Sequence, residues 1–166
     1  MQHYEPVMAG TDGATSSPPS LFDWAGGREA LEALFEQFYD RVLADDLLYP
    51  LFKDMDPNHP QHVAMWVGEV FGGPPVYSAD RGGHPAMLRH HLDREITEAQ
   101  RRRWIDLLVD AAGTVGLPDD AEFRAAFMGY IEWGTRLAKL FSQSGASPNF
   151  DEPVPTWQWT RPPWQA

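Results

Sequence analysis

The chain of 166 residues contains no cysteine. That excludes disulfides, iron–sulfur clusters, thiolate ligation of a metal and cysteine-rich zinc sites, so any metal must be held by histidine, carboxylate, methionine or tyrosine oxygen. Basic residues are also scarce. Thirteen Lys and Arg stand against 24 Asp and Glu, a net charge of −11, which argues against binding a phosphate backbone or docking on anionic lipid. Nucleic acid and membrane are therefore not expected partners. No window approaches the roughly 20 apolar residues that span a bilayer, and no basic segment followed by an apolar run opens the chain, so the cytoplasm is the expected location. A glycine-rich phosphate loop, a Gly-x-Ser-x-Gly elbow and paired Glu-x-x-His helices are all missing, which removes nucleotide binding, serine hydrolysis and a di-iron bundle.

What is present suffices for one domain with a full core, since 43% of residues are hydrophobic and 22% charged, an ordinary globular balance. Residues 1–19 are rich in Gly, Ser, Thr and Pro and read as a flexible arm, residues 20–146 as the compact domain, and residues 147–166 as a Pro-rich tail. Trp157, Trp159 and Trp164 lie in that tail. Disordered tails are poor in aromatics, so an extended strap lying on its own domain is expected.

Four segments carry helical periodicity, and none shows sustained alternation. Leu31, Leu34, Phe35, Phe38, Tyr39 and Val42 trace one buried face. A second helix begins at Asn58 with Pro60 in its first turn; His59, Val63, Trp66, Val67 and Val70 share a stripe until Gly72-Gly73-Pro74 ends it. Thr97 and Gln100 have capping-box spacing ahead of Trp104, Leu107, Leu108, Ala111 and Val115. From about Asp119, Phe123, Phe127, Tyr130, Ile131 and Phe141 mark a fourth. The connection from Pro74 to Ile96 holds three of the six histidines. It has room for only a short helix, from about Pro85 to Leu92.

On that short helix Met87, Leu88 and His91 share one face. A neutral imidazole on an apolar strip is what an iron ligand beside a dry haem face requires, whereas Arg89 and His90 point elsewhere. His90 reads as a solvated neighbour. Arg89, or a protonated His90, is a candidate partner for haem propionates. His59 shares its stripe with Val63 and can face a pocket, where it would bond a ligand or bind iron itself. Tyr39 is a buried phenol that needs an acceptor, and Trp104 offers a donor-only N–H; each suits a ligand with partial negative charge, and each could equally be plain core. A competing arrangement, a metal cluster of His59, His62, His84, His90 and His91, lacks a known ligand spacing.

Over Phe22 to Phe141 the chain resembles the truncated haemoglobins, and most closely their second group. The resemblance is carried by Gly26-Gly27, by Phe71-Gly72-Gly73-Pro74 with Tyr77-Ser78, and by Gly82-Gly83-His84-Pro85 leading to Met87 and His91-Leu92. It implies an all-α fold, a two-over-two helical sandwich around haem b, with tails at both ends. It also implies His91 as the proximal iron ligand, Tyr39 as the distal tyrosine, Trp104 as the tryptophan that marks the group, and Phe52 as the aromatic wedged against haem. Val63 falls at an apolar distal position, and His59 at the distal gate that many relatives fill with a small residue. His90 departs from the pattern, because relatives often carry Arg there. Trp66, Tyr77, Met87, Leu88 and Arg89 complete the expected cofactor contacts.

The expected function is reversible binding of dioxygen or another diatomic ligand at haem iron, with Tyr39, His59 and Trp104 facing the ligand. One alternative is a haem redox enzyme, a peroxidase or nitric oxide dioxygenase served by a reductase. Another is a haem-free helical interaction module. A monomer and a homodimer are both compatible with the chain.

Overall fold

The computed structural model describes residues 17–164; residues 1–16 of the expected arm lie outside them. The described residues form eight helices and no strand. They are α1 (Leu21–Ala25), α2 (Gly27–Leu43), α3 (Tyr49–Phe52), α4 (His59–Val70), α5 (Val76–Arg81), α6 (Gly83–His91), α7 (Glu98–Val115) and α8 (Ala121–Phe141). The apolar stripe of α2 decides the architecture: Leu31, Leu34, Phe35, Phe38, Tyr39 and Val42 are all buried, each contributing about 1.5–3 kcal/mol by leaving water. That stripe packs against both α4 and α7, and α7 packs against α8. The result is the two-over-two helical arrangement.

Local chemistry sets the helix ends. Thr97 and Gln100 form the expected capping box at the start of α7, and the Asp120 carboxylate caps α8 by accepting from Phe123 N–H at 2.9 Å. The largely buried Arg101 donates to Glu98 within α7 at 2.9 Å and to Glu132 across the α7–α8 seam at 2.8 Å. Lys139 reaches the same Glu98 at 3.0 Å.

The connection from Pro74 to Ile96 departs from expectation. It carries two helices, α5 and α6, where room for one was expected. α5 has six residues, too few to show a period. Tertiary contacts hold it instead: Tyr77 is 1% exposed, and the Glu69 carboxylate accepts from both the backbone N–H and the hydroxyl of Ser78. Gly82, at φ +87°, breaks α5 from α6 with a left-handed turn that other residues adopt at a cost. α1 and α3, at five and four residues, were missed for the same reason of length.

After α6 the chain turns through Asp93 and Glu95, both left-handed at φ 57° and 50°. The turn is clamped to the end of α8, where Ser142 accepts from Glu95 N–H at its carbonyl (2.8 Å) and from Ile96 N–H at its hydroxyl (2.9 Å). Two bonds thus hold a backbone that would otherwise relax. The C-terminal strap has no regular structure and lies along the domain. Trp157 N–H donates to Val70 carbonyl at 2.8 Å and its indole to Ala126 carbonyl at 2.9 Å, and the Trp159 indole donates to Pro19 carbonyl at 3.1 Å.

Gly73 is required at the α4–α5 turn for clearance. Its N–H donates to Gly68 carbonyl at 2.8 Å, and a Cβ there would lie 2.7 Å from the Phe22 ring and 2.8 Å from that carbonyl oxygen. Gly73→Ala is therefore expected to destabilise the fold by about 2 kcal/mol through overpacking. Gly113, inside α7, has nothing within 4 Å of such a Cβ, so Gly113→Ala is expected to stabilise by about 0.5–1 kcal/mol. Urea unfolding of both variants checks the pair, and a stable Gly73→Ala would show that α1 can move off the turn.

Candidate functional site

Between the helix layers lies a cavity of about 450 Å³. One wall comes from α6, which presents His84, Met87, Leu88 and His91 to it. The His91 Nδ1 sits 2.9 Å from the Met87 carbonyl oxygen. A carbonyl only accepts, so Nδ1 carries the proton and the lone pair is on Nε2, which bonds to nothing among the described residues. Burial above all pushes this imidazole down from 6.5 to about 4; the Met87 bond opposes the shift, and His90 and Arg94 add to it. At neutral pH His91 is uncharged, with a free ring nitrogen in a mostly apolar cavity. This donor suits haem iron.

The wall built by α2, α4 and α7 places Tyr39, His59 and Trp104 on the same cavity. His59 Nε2 is 3.1 Å from the Tyr39 hydroxyl. Tyr39 is 3% exposed, and burial raises its phenol well above the usual value, with the Trp104 indole pulling the other way. Burial likewise lowers His59 to about 4, helped by the charges of His90, His62, His91 and Arg94. Phe38 supports the group, with ring centroids 4.7 Å from both Tyr39 and Trp104. Phe52 closes it, 5.6 Å from Tyr39 and 6.2 Å from His59.

Val63, Trp66 and Tyr77 also line the cavity. Trp66 acts as a flat wall, not as a ligand donor, because its indole N–H is taken by the Tyr130 hydroxyl at 2.6 Å. Its ring meets Tyr77 edge-on at 5.2 Å and stacks on His84 at 5.9 Å.

Two expectations on α6 are corrected. Arg89 is absent from the cavity wall; its guanidinium lies 5.6 Å over the Phe150 ring. His90, expected to point elsewhere, does reach the cavity. Of the three arginines there, Arg101 is taken by Glu98 and Glu132, which leaves Arg81 and Arg94, accompanied by His62 and His90. Arg94 is held by the His90 and Leu51 carbonyls at 3.2 and 3.4 Å. Neither arginine carried a sequence signal, because their aim depends on the Gly82 break and the Ser142 clamp. Tyr130 was legible as a stripe residue of α8, though not as the acceptor for Trp66. Among the described residues no three His, Asp or Glu side chains converge as a cation site, which disposes of the five-histidine cluster.

Comparison with known proteins identifies the family and the fold. A family model for bacterial-like globins matches residues 20–132. Group 2 truncated hemoglobin YjbI of Bacillus subtilis (strain 168) is 32% identical over 110 residues, covering 66% of this chain and 81% of that protein. The solved truncated oxygen-avid haemoglobin from Bacillus subtilis superposes with a TM-score of 0.64 at 28% identity, covering 72% of this chain and 98% of its own. The hemoglobin of Chloroflexus aurantiacus gives a TM-score of 0.65 at 26% identity, covering 73% and 98%. Residues 133–166 lie beyond the family match.

Two neutral, part-buried imidazoles carry a pH dependence. An unfolded chain protonates His59 and His91 near 6.5 and the folded protein only near 4. Between those values the unfolded state binds more protons, so stability is full above pH 6.5 and falls as pH drops towards 4. The slope contribution is at most about 1.4 kcal/mol per pH unit for each histidine. Urea unfolding of haem-free protein from pH 7 to 4.5 is expected to show this slope, and His59→Phe to reduce it by one proton. Parallel curves for parent and variant would contradict the burial of His59 in its neutral form.

Proposed function

The chain belongs to the bacterial-like globin family as a truncated haemoglobin of the second group, and from that premise we propose that it holds haem b through His91 and binds dioxygen or another diatomic ligand beside Tyr39, His59 and Trp104. The observation that carries this reading is the free Nε2 of His91, fixed by the bond from Nδ1 to Met87. When bound, haem supplies an iron centre that takes a small diatomic molecule. Everything else is the work of the chain.

Met87, Leu88, Val63 and Phe52 line the cavity and would exclude water from the bound group. Arg81 and Arg94 offer charge to the two carboxylates of haem b, which an acidic protein must neutralise. With its proton on Nε2, His59 donates to the Tyr39 oxygen, so the phenol proton stays free for the ligand, and the Trp104 N–H adds a second donor. A hydrogen bond to a charged acceptor is worth about 1.5–3 kcal/mol. Two such donors favour retention, which fits sensing, scavenging or redox use better than bulk delivery. In this reading residues 20–146 are the haem-binding unit and the segments on either side are additions to it.

The visible spectrum of the purified protein, ferric and then ferrous, with and without carbon monoxide, tests the reading: a sharp haem band that shifts with carbon monoxide is expected. No band after haemin is added to folded protein would overturn it. His91→Ala is expected to lose haem and His90→Ala to keep it, so equal retention would remove the assignment of His91. Tyr39→Phe is expected to speed dioxygen release by about 10-fold or more, from the same 1.5–3 kcal/mol. An unchanged rate in stopped-flow displacement would mean that the phenol bonds elsewhere.

A further inference from the structure

The helix that carries His91 is poorly equipped to hold itself in place. α6 has nine residues, fewer than the ~12–15 at which an isolated helix becomes marginally stable in water. Its main helix contacts are α5 and α8. Part of its remaining surface is covered by the C-terminal strap. His84 Nδ1 donates to the Glu152 carbonyl at 3.0 Å, and the Arg89 guanidinium lies over Phe150 at 5.6 Å. Farther along, Pro155 forms part of the cavity wall itself.

The strap is anchored at Trp157. Its backbone N–H takes the Val70 carbonyl in the last turn of α4 at 2.8 Å, one of the acceptors a helix end leaves open. Its indole N–H takes the Ala126 carbonyl of α8 at 2.9 Å. The indole lies against Gly129, where a Cβ would be in ordinary contact, 3.4 Å from the ring. Tyr130 and Trp133 enclose it with centroids at 5.6 and 5.5 Å, and Tyr130 accepts from Trp66, so the anchor is joined to the cavity wall. Beyond the anchor, Trp159 meets Trp24 edge-on at 5.6 Å.

We propose that residues 150–157 form a clasp, anchored at Trp157, that holds α6 from outside through His84 and Arg89 and so positions His91 in the cavity. Trp157 and His84 are positioning residues. Neither needs to touch the ligand; they limit how far α6 swings away from α8. The consequence for haem rests on the reading of His91 as the iron ligand, while the hold on α6 does not.

Amide hydrogen exchange of the full-length protein as purified tests the clasp, with residues 83–91 as the readout and residues 27–43 of α2 as the internal control. Trp157→Ala is expected to speed exchange across α6 by about 10-fold and to leave α2 unchanged. Trp157→Phe keeps a ring over Gly129 but loses the Ala126 bond, and should fall between. Unchanged exchange in α6 would overturn the proposal, as would equal acceleration of both segments, the mark of global loosening. If Trp157→Ala does not fold, Phe150→Ala decides: it removes the ring under Arg89 without altering α6 itself or the anchor and must still accelerate α6. Haemin-loaded protein then reports the consequence. Transfer of haem to excess apomyoglobin is expected to be about 10-fold faster in Trp157→Ala. Equal transfer rates despite faster α6 exchange would overturn the link to haem, and no haem uptake by the parent would count against His91 while the exchange result still decides the clasp.

Discussion

One hydrogen bond, from His91 Nδ1 to the Met87 carbonyl at 2.9 Å, sets the chemistry of the cavity. It is an i to i−4 contact, so it exists only while α6 is helical. It selects the tautomer, and the tautomer decides which nitrogen can coordinate. Burial then keeps the ring neutral, which a ligand to iron must be. Most of the surrounding structure serves to keep α6 in place: the glycine break at Gly82, the clamp at Ser142 and the strap through His84.

The opposite side of the cavity follows a different logic. Tyr39, His59 and Trp104 are polar groups carried by three different helices, and each is partly desolvated by the same aromatic packing that holds α2 against α4 and α7. Desolvation strengthens any hydrogen bond they make to a ligand and makes their own unpaired state costly. The contact between Tyr39 and His59 reduces that cost when no ligand is present. A group that fills this cavity of about 450 Å³ covers its apolar lining and should stabilise the fold by mass action.

The long helices were legible because their stripes run for three turns or more: the six apolar positions of α2 and the capping box of α7 needed no tertiary information. The short helices were not, since α1, α3 and α5 owe their form to contacts such as Phe22 on Gly73 and Ser78 on Glu69. The site shows the same division. His91, Met87 and Leu88 share a face by simple spacing, and the structure puts all three on the cavity. Arg89 obeys the same arithmetic: two residues from His91 is about 200° around a helix, which points it away from His91 and over Phe150. Arg81 and Arg94 were invisible because a break and a clamp, not a period, aim them. The strap's direction could be inferred from its tryptophans, but its hold on α6 depends on a backbone carbonyl, which a sequence does not display.

Ligation of haem iron by His91 Nε2 is read directly from the iron–histidine stretching band of the ferrous, haem-loaded protein. Resonance Raman spectra with and without ¹⁵N-labelled histidine should show an isotope-sensitive band that disappears in His91→Gly and returns when free imidazole is added. A band that survives in His91→Gly without imidazole, or that never responds to the label, would contradict the account.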